Sequence, residues 1–305
     1  MAYPFCIPVV VPTNYKGGVG KTLSSRVLTQ GIASFSAMNG GKPVLVIDLD
    51  SQGNTSRRYD LLEALPDGSM QPKPHPELVG EDVPYSSCCD LWLNLLGGSD
   101  YYAPIPYETA NPLIHVVPAH EELMRQLVKV PDERVPELGA ALQKWLRSEE
   151  ISEKYCCVII DTAPDKTALI DAALVAATHV YIPFIPEPQS IDGVLSIISY
   201  VVRFMQSRRN DVPLNLLGLL PNLVMKTSLH SMNLRDLGKH EVFSQYLMPV
   251  KLNRRIGYSE TDDWRNTPDQ VTDVEGTAID LEARHFIKHV WREVQNTMPA
   301  AAGVN

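Results

Sequence analysis

The residues best equipped for chemistry are Tyr15-Lys-Gly-Gly-Val-Gly-Lys-Thr22 and three aspartates, Asp48, Asp50 and Asp161. A glycine cluster that ends in Lys-Thr lets backbone N–H groups crowd around an anion that any Cβ would push away. Lys21 would place a point charge at the β- and γ-phosphates of a nucleotide, and the Thr22 hydroxyl would ligate Mg²⁺. The nucleotide-binding set is then Gly17, Gly18, Val19, Gly20, Lys21, Thr22 and Leu23. The loop departs from the ordinary pattern G-x-x-x-x-G-K-[ST], because Tyr15 occupies the first glycine position and a second lysine, Lys16, follows it. A lysine at the loop's mouth cannot easily fold back onto its own phosphates, so Lys16 is available to a nucleotide held by another subunit. The catalytic set is Lys16, Lys21 and Asp50.

These residues need elements to hold them. Ile7 to Val11 is an apolar run suited to a buried strand, and Leu23 to Ala33 has helical spacing without proline. A strand, a glycine-rich turn and a helix in that order form a phosphate loop, with the helix dipole aimed at the anion. The runs Pro43 to Asp50 and Tyr155 to Asp161 are further buried strands, each ending in acid. In a parallel sheet the strand C-termini share one edge, so the loop and the three aspartates should converge there. Asp161 fits the acid on the metal side of a triphosphatase site. Asp50, further out along the chain, would orient the attacking water. Asp48 admits two readings, the metal's water shell or a turn acid making Asx-type hydrogen bonds.

Further along, strands are expected at 113–117, 179–185, 214–220 and, on an edge, 247–252. Helices are expected at 90–96, 121–129, 136–148, 168–177, 190–207, 229–238 and 276–294. The strands are continuous apolar runs, which implies an α/β fold: a doubly wound, mostly parallel sheet of about seven to eight strands covered on both faces. We expect one domain over 1–298, an insertion or surface excursion at 65–112, and a flexible 299–305 tail. The chain has 305 residues and a net charge of −9, so no global positive field advertises nucleic acid. Its five cysteines include two adjacent pairs and no C-x-x-C, a pattern of reduced thiols rather than of a zinc site or disulfide framework. No apolar run is long enough to span a membrane, and no signal peptide is evident.

Lys16 to Thr22, Val46-Ile-Asp-Leu-Asp-Ser-Gln-Gly-Asn-Thr55 and Val158-Ile-Ile-Asp-Thr-Ala-Pro164 resemble the ParA family of deviant-loop ATPases, grouped with MinD and the nitrogenase iron protein. The likeness runs in order from about residue 5 to about residue 260. It implies ATP and Mg²⁺ as cofactors, an ATP-dependent homodimer in which Lys16 reaches the partner's nucleotide, and Asp50 positioning the water. It also places Asn222 at the adenine and Pro249 near the loop beside the base. With only fourteen residues before Tyr15, no N-terminal helix-turn-helix domain is expected.

The resemblance further implies non-specific DNA as a ligand, a centromere-binding ParB-like partner, and a cytoplasmic, nucleoid-associated protein that segregates a plasmid or chromosome. Candidate DNA contacts are Arg203, Arg208 and Arg209 at one helix end, and Lys251, Arg254 and Arg255 after the late strand. The cysteine pairs read as core packing, not cluster ligands. The basic face of the C-terminal helix reads as solvated, with Phe286, Ile287 and Trp291 turned to the protein, so a MinD-like membrane regulator is the lesser reading. An ATPase that positions a protein cargo is the other alternative.

Overall fold

The structure is a computed structural model and describes residues 7–98, 102–207, 213–260 and 277–298. Arg208, Arg209, Gly276 and the 299–305 tail lie outside the described residues. In chain order the first elements are β1 (Val9–Pro12), α1 (Lys21–Ser34), α2 (Ser36–Asn39), β2 (Val44–Leu49) and α3 (Asn54–Arg58). A small hairpin follows, β3 (Leu62–Ala64) and β4 (Met70–Pro72), and then β5 (Tyr107–Glu108), β6 (Ile114–Val117), α4 (Glu121–Leu127), α5 (Val135–Leu146) and α6 (Glu149–Lys154). The second half runs β7 (Cys157–Thr162), α7 (Ala168–Ala176), β8 (His179–Phe184), α8 (Pro188–Ser207), β9 (Asn215–Pro221), α9 (Ser228–Leu237), α10 (Ile256–Glu260) and α11 (Ala278–Thr297).

Seven strands form one sheet in the order β5-β6-β2-β7-β1-β8-β9, all parallel except the short edge strand β5. Every residue of β1, β2, β6, β7 and β8 is buried, as a sheet covered on both faces requires. One face packs Val10, Val46 and Ile159 against α1 and α11; the other packs Val11, Ile47 and Ile160 against α5, α7, α8 and the 88–96 segment. The doubly wound parallel sheet read from the sequence is therefore the observed fold.

Two local expectations differ. Residues 247–252 do not form an edge strand. They run beside β9, joined through Leu219 N–H to the Tyr246 carbonyl at 2.7 Å and Met248 N–H to the Leu219 carbonyl at 3.0 Å, with only isolated bridges at Leu247 and Asn253. Pro249 has no N–H to donate, which interrupts the ladder. Gly218, at φ 131°, permits the approach, since a Cβ there would lie 2.4 Å from the Tyr246 carbonyl oxygen. The 65–112 stretch is also only partly superficial. Ser87 and Asp90 cap a 3₁₀ helix, Cys88–Leu96, in which Cys88, Cys89, Leu91 and Trp92 are buried in the core.

The apolar face of α11 is used within the chain: Ala283, Phe286, Ile287, Val290, Trp291 and Val294 are all buried, while Leu281 is exposed. Helices α1 and α11 meet closely at Gly31, where a Cβ would fall 2.1 Å from the Ile287 Cδ1. Truncating a wholly buried aromatic ring costs about 3–5 kcal/mol. Phe286→Ala should lower unfolding free energy by that amount in urea titration; a loss below about 1 kcal/mol would mean that α11 is not part of the core.

Candidate functional site

The phosphate loop joins β1 to α1 at the C-terminal edge of the sheet. Pro12 and Thr13 are tied to neighbouring strands, by the Thr162 hydroxyl to the Pro12 carbonyl at 2.9 Å and by Thr13 N–H to the Tyr181 carbonyl at 3.0 Å. Buried Asn14 then governs the turn. Its Nδ2 donates to the Pro183 carbonyl at 2.9 Å, and its Oδ1 accepts from Lys16 N–H at 2.9 Å. Gly18 and Gly20 take left-handed φ of 74° and 80°. Gly20 caps α1 with no side-chain hydrogen bond, so the helix's first N–H groups are open to an anion.

The two lysines of the loop have opposite surroundings. Lys21 is buried, its ammonium donating to the Asn14 carbonyl at 2.9 Å and the Lys16 carbonyl at 3.4 Å. Burial pulls its pKa below the usual range, and the carboxylates of Asp161, Asp50 and Asp165 oppose that shift. Lys16 is half-exposed at the loop's rim, beside exposed Gly17 and Gly18.

Behind the loop, parallel pairing of β2 with β7 sets Asp48 opposite Asp161, both wholly buried. The Asp161 Oδ2 accepts from the Thr55 hydroxyl at 2.7 Å and its Oδ1 from the Ser25 hydroxyl at 3.2 Å. This donor set fits Mg²⁺, which is held by one or two protein oxygens together with phosphates and water rather than by an all-protein cage. No group of three or more His, Cys, Asp or Glu side chains among the described residues is arranged to hold a metal ion.

Asp48 is tied into the framework through both carboxylate oxygens. Its Oδ2 accepts from Ser56 N–H at 2.8 Å and the Ser56 hydroxyl at 2.7 Å, and its Oδ1 from Asp50 N–H at 3.1 Å. With both oxygens engaged it shapes the turn that presents Asp50, as the Asx-type reading requires. Asp50 follows β2, its Oδ1 accepting from Gln52 N–H at 2.9 Å. Burial raises its pKa, while that N–H and Lys21 counter the rise.

Beside the loop lies a cavity of about 390 Å³, lined in part by Gly18, Gly20, Leu23, Met225, Arg254 and Tyr258. That volume lies within the range of small-ligand sites. Asn222 is wholly buried at its rear and braces the loop, its Nδ2 donating to the Val19 and Gly20 carbonyls at 2.9 Å each and its Oδ1 accepting from Leu223 N–H at 2.9 Å. Neither Asn222 nor exposed Pro249 is among the residues that line this cavity.

The described basic candidates have different surroundings. Arg203 and Lys251 are exposed, Arg254 lines the cavity, and Arg255 pairs with the Glu282 carboxylate of α11 at 3.1 Å. Glu282 also accepts from Asn253 N–H at 2.5 Å and the Tyr258 hydroxyl at 3.1 Å, so Arg255 is part of a clamp. Asn14, Ser25, Thr55 and Ser56 are site residues that motif reading passed over. Only their hydroxyl and amide types, beside the loop and after Asp50, hinted at them.

A family model described as an AAA domain matches residues 8–214, more than half of the chain. The chain is similar to the sporulation initiation inhibitor protein Soj of Bacillus subtilis, 27% identical over 81% of this chain and 85% of that one. It is also similar to the chromosome-partitioning ATPase Soj of Treponema pallidum, 28% identical over 66% of each. The chain belongs to the ParA family of P-loop ATPases. Solved structures agree with this ParA-type fold. The McdA–ATP complex from Cyanothece matches with a TM-score of 0.67 at 15% identity, covering 96% of this chain and 98% of that one. A putative plasmid partition protein from Borrelia burgdorferi bound to AMPPNP matches at 0.64 and 16% identity, covering 94% and 99%.

Desolvation, reinforced by Asp161, pushes the Asp48 pKa up to about 7. The unfolded chain loses this proton in the ordinary carboxylate range, so between the two values the folded chain binds more protons. Raising pH through that window therefore erodes stability. Denaturant midpoints should fall between about pH 4 and about pH 8, and less steeply in Asp48→Asn. An identical pH slope in the two proteins would remove Asp48 as a source of the decline.

Proposed function

We propose that the chain is a DNA-partition ATPase. Residues 1–298 form one ATPase domain that binds ATP with Mg²⁺, pairs with a second copy while ATP is bound, and holds DNA without sequence preference. A cargo-bound partner of the ParB kind accelerates its slow hydrolysis. The observation that carries this reading is the contrast between its two loop lysines: Lys21 is buried within the loop, whereas Lys16 stands half-exposed on the rim, where a facing subunit's nucleotide is within its province.

In this mechanism the N–H groups from Gly17 to Leu23 and the open start of α1 cradle the phosphates, and Lys21 adds its charge there. Thr22 and Asp161 would hold Mg²⁺, which would neutralise phosphate charge when bound. Asp50, kept partly desolvated on its braced turn, orients the attacking water. Lys16 completes the partner's site, so hydrolysis and dimerisation are linked. DNA contact falls to exposed Arg203 and Lys251 and to Arg208 and Arg209, with nucleoid association the consequence. Burial of the apolar face of α11 supports DNA over a membrane as the surface used.

Removing a charged hydrogen-bond partner costs about 1.5–3 kcal/mol, so Lys21→Ala should weaken ATP binding at least about tenfold. Asp50→Ala should bind ATP and accumulate as dimer, and undiminished turnover in it would take Asp50 out of the mechanism. The decisive measurement is binding to random-sequence duplex DNA with ATP, with ADP and with neither. Binding should require ATP and drop by orders of magnitude between about 50 and 200 mM salt. No binding in any state would refute the DNA reading.

A further inference from the structure

Tyr15 stands where the ordinary phosphate loop has glycine, and nothing in the hydrolysis scheme uses it. Its ring packs edge to face on Tyr200 of α8, with centroids 5.5 Å apart and planes at 65°. Tyr200 is itself fixed from two sides. Its hydroxyl donates to the Asp171 carboxylate of α7, and the Lys166 ammonium sits over its ring, 5.0 Å from the centroid. The Tyr15 main chain is held as well, its carbonyl accepting from Asp165 N–H at 3.2 Å. Asp165 takes a left-handed φ of 93°, unusual for a non-glycine residue and found where surroundings over-determine the backbone. On the far side of Lys16, Gly17 lies against Pro164, whose Cβ would be 3.7 Å from a Cβ added at that glycine.

Lys16 is thus bracketed. Its own N–H is tied to Asn14 and its carbonyl faces the Lys21 ammonium, while the preceding residue is anchored to α7, α8 and the 164–166 turn. Only its side chain is left to the rim. A flexible lysine loses much rotamer freedom on engaging a ligand, and a fixed backbone lowers the part of that cost which falls on the loop. An ordinary glycine at position 15 would supply neither the ring nor the restraint.

We infer that Tyr15 is a positioning residue: with Tyr200 and Asp171 it fixes the loop's mouth so that Lys16 is presented outward to the second subunit's nucleotide. The inference rests on the reading of Lys16 as a residue acting on the partner subunit. It also gives the loop a mechanical connection to α8, which carries Arg203 one turn beyond Tyr200.

The test uses the full chain and reads three quantities for each variant: thermal midpoint, affinity for ATP with Mg²⁺, and the ATP-dependent monomer–dimer equilibrium by sedimentation. An aromatic pair contributes about 0.5–1.5 kcal/mol beyond area burial, so Tyr15→Leu and Tyr200→Leu should each weaken dimerisation about three- to tenfold. ATP affinity should stay within about twofold, since the phosphate cradle itself is untouched. The double variant should be little worse than either single one, because both remove one contact. Tyr15→Phe, which keeps the ring, should behave as the parent.

Unchanged dimerisation in both leucine variants would overturn the inference, and so would additive losses or a parallel fall in ATP affinity. Should Tyr15→Leu fail to fold, Tyr200→Leu and Asp171→Asn approach the same contact from the helices and decide the matter alone. Lys16→Ala is the control that separates the two ideas. If it dimerises normally on ATP, the underlying reading of Lys16 fails. If it stays monomeric while the tyrosine variants dimerise, only the positioning role fails.

Discussion

The site depends on placing two carboxylates side by side where water does not reach. Asp48 and Asp161 are register partners across β2 and β7, and neither is exposed. Desolvation and mutual repulsion both disfavour ionising the pair, and burying such groups without partners would be prohibitive. Hydroxyls make it tolerable: Ser56 on one acid, Ser25 and Thr55 on the other. Those same hydroxyls come from α1 and α3, so satisfying the acids fixes both helices to the strand ends. The turn bearing Asp50 and the first turn of α1 are consequently positioned by one polar cluster.

The loop is built by a second economy of contacts. Its carbonyls are gathered by two amide or ammonium donors, Asn222 from behind and Lys21 from within. Pulling the carbonyls back turns the N–H groups outward, the polarity an anion needs. Gly20 is obligatory on steric grounds as well as conformational ones, since a Cβ there would sit 2.5 Å from the Asn222 Nδ2.

The sequence disclosed the parts that rest on local pattern. Continuous apolar runs revealed a parallel sheet, glycine spacing the loop, and acids after apolar runs the sheet edge where the loop lies. It was less informative wherever the deciding partner is remote in the chain. Arg255 reads as a free cation until Glu282 is seen across from it. The Ser56 contacts of Asp48 were likewise not visible in the sequence. The bond of Asn222 to the loop's carbonyls could not be read from the sequence either. The 247–252 run has strand-like composition, but Pro249 denies it a ladder, and the cysteine-rich 88–92 segment joins the core despite its polar, proline-rich flanks.

The strand order carries a consequence for how this chain comes into being. β1 precedes the other described strands in sequence yet lies between β7 and β8, and neither neighbour exists until the residues from Cys157 to Phe184 have been made. Four apolar residues followed by a glycine-rich loop must therefore wait, unpaired, until both have been made, while β2 and β6 can already align with each other. Such long-range closure is entropically slow and leaves apolar surface open to association. The nucleotide site therefore cannot be framed by the sheet before β7 and β8 have been made.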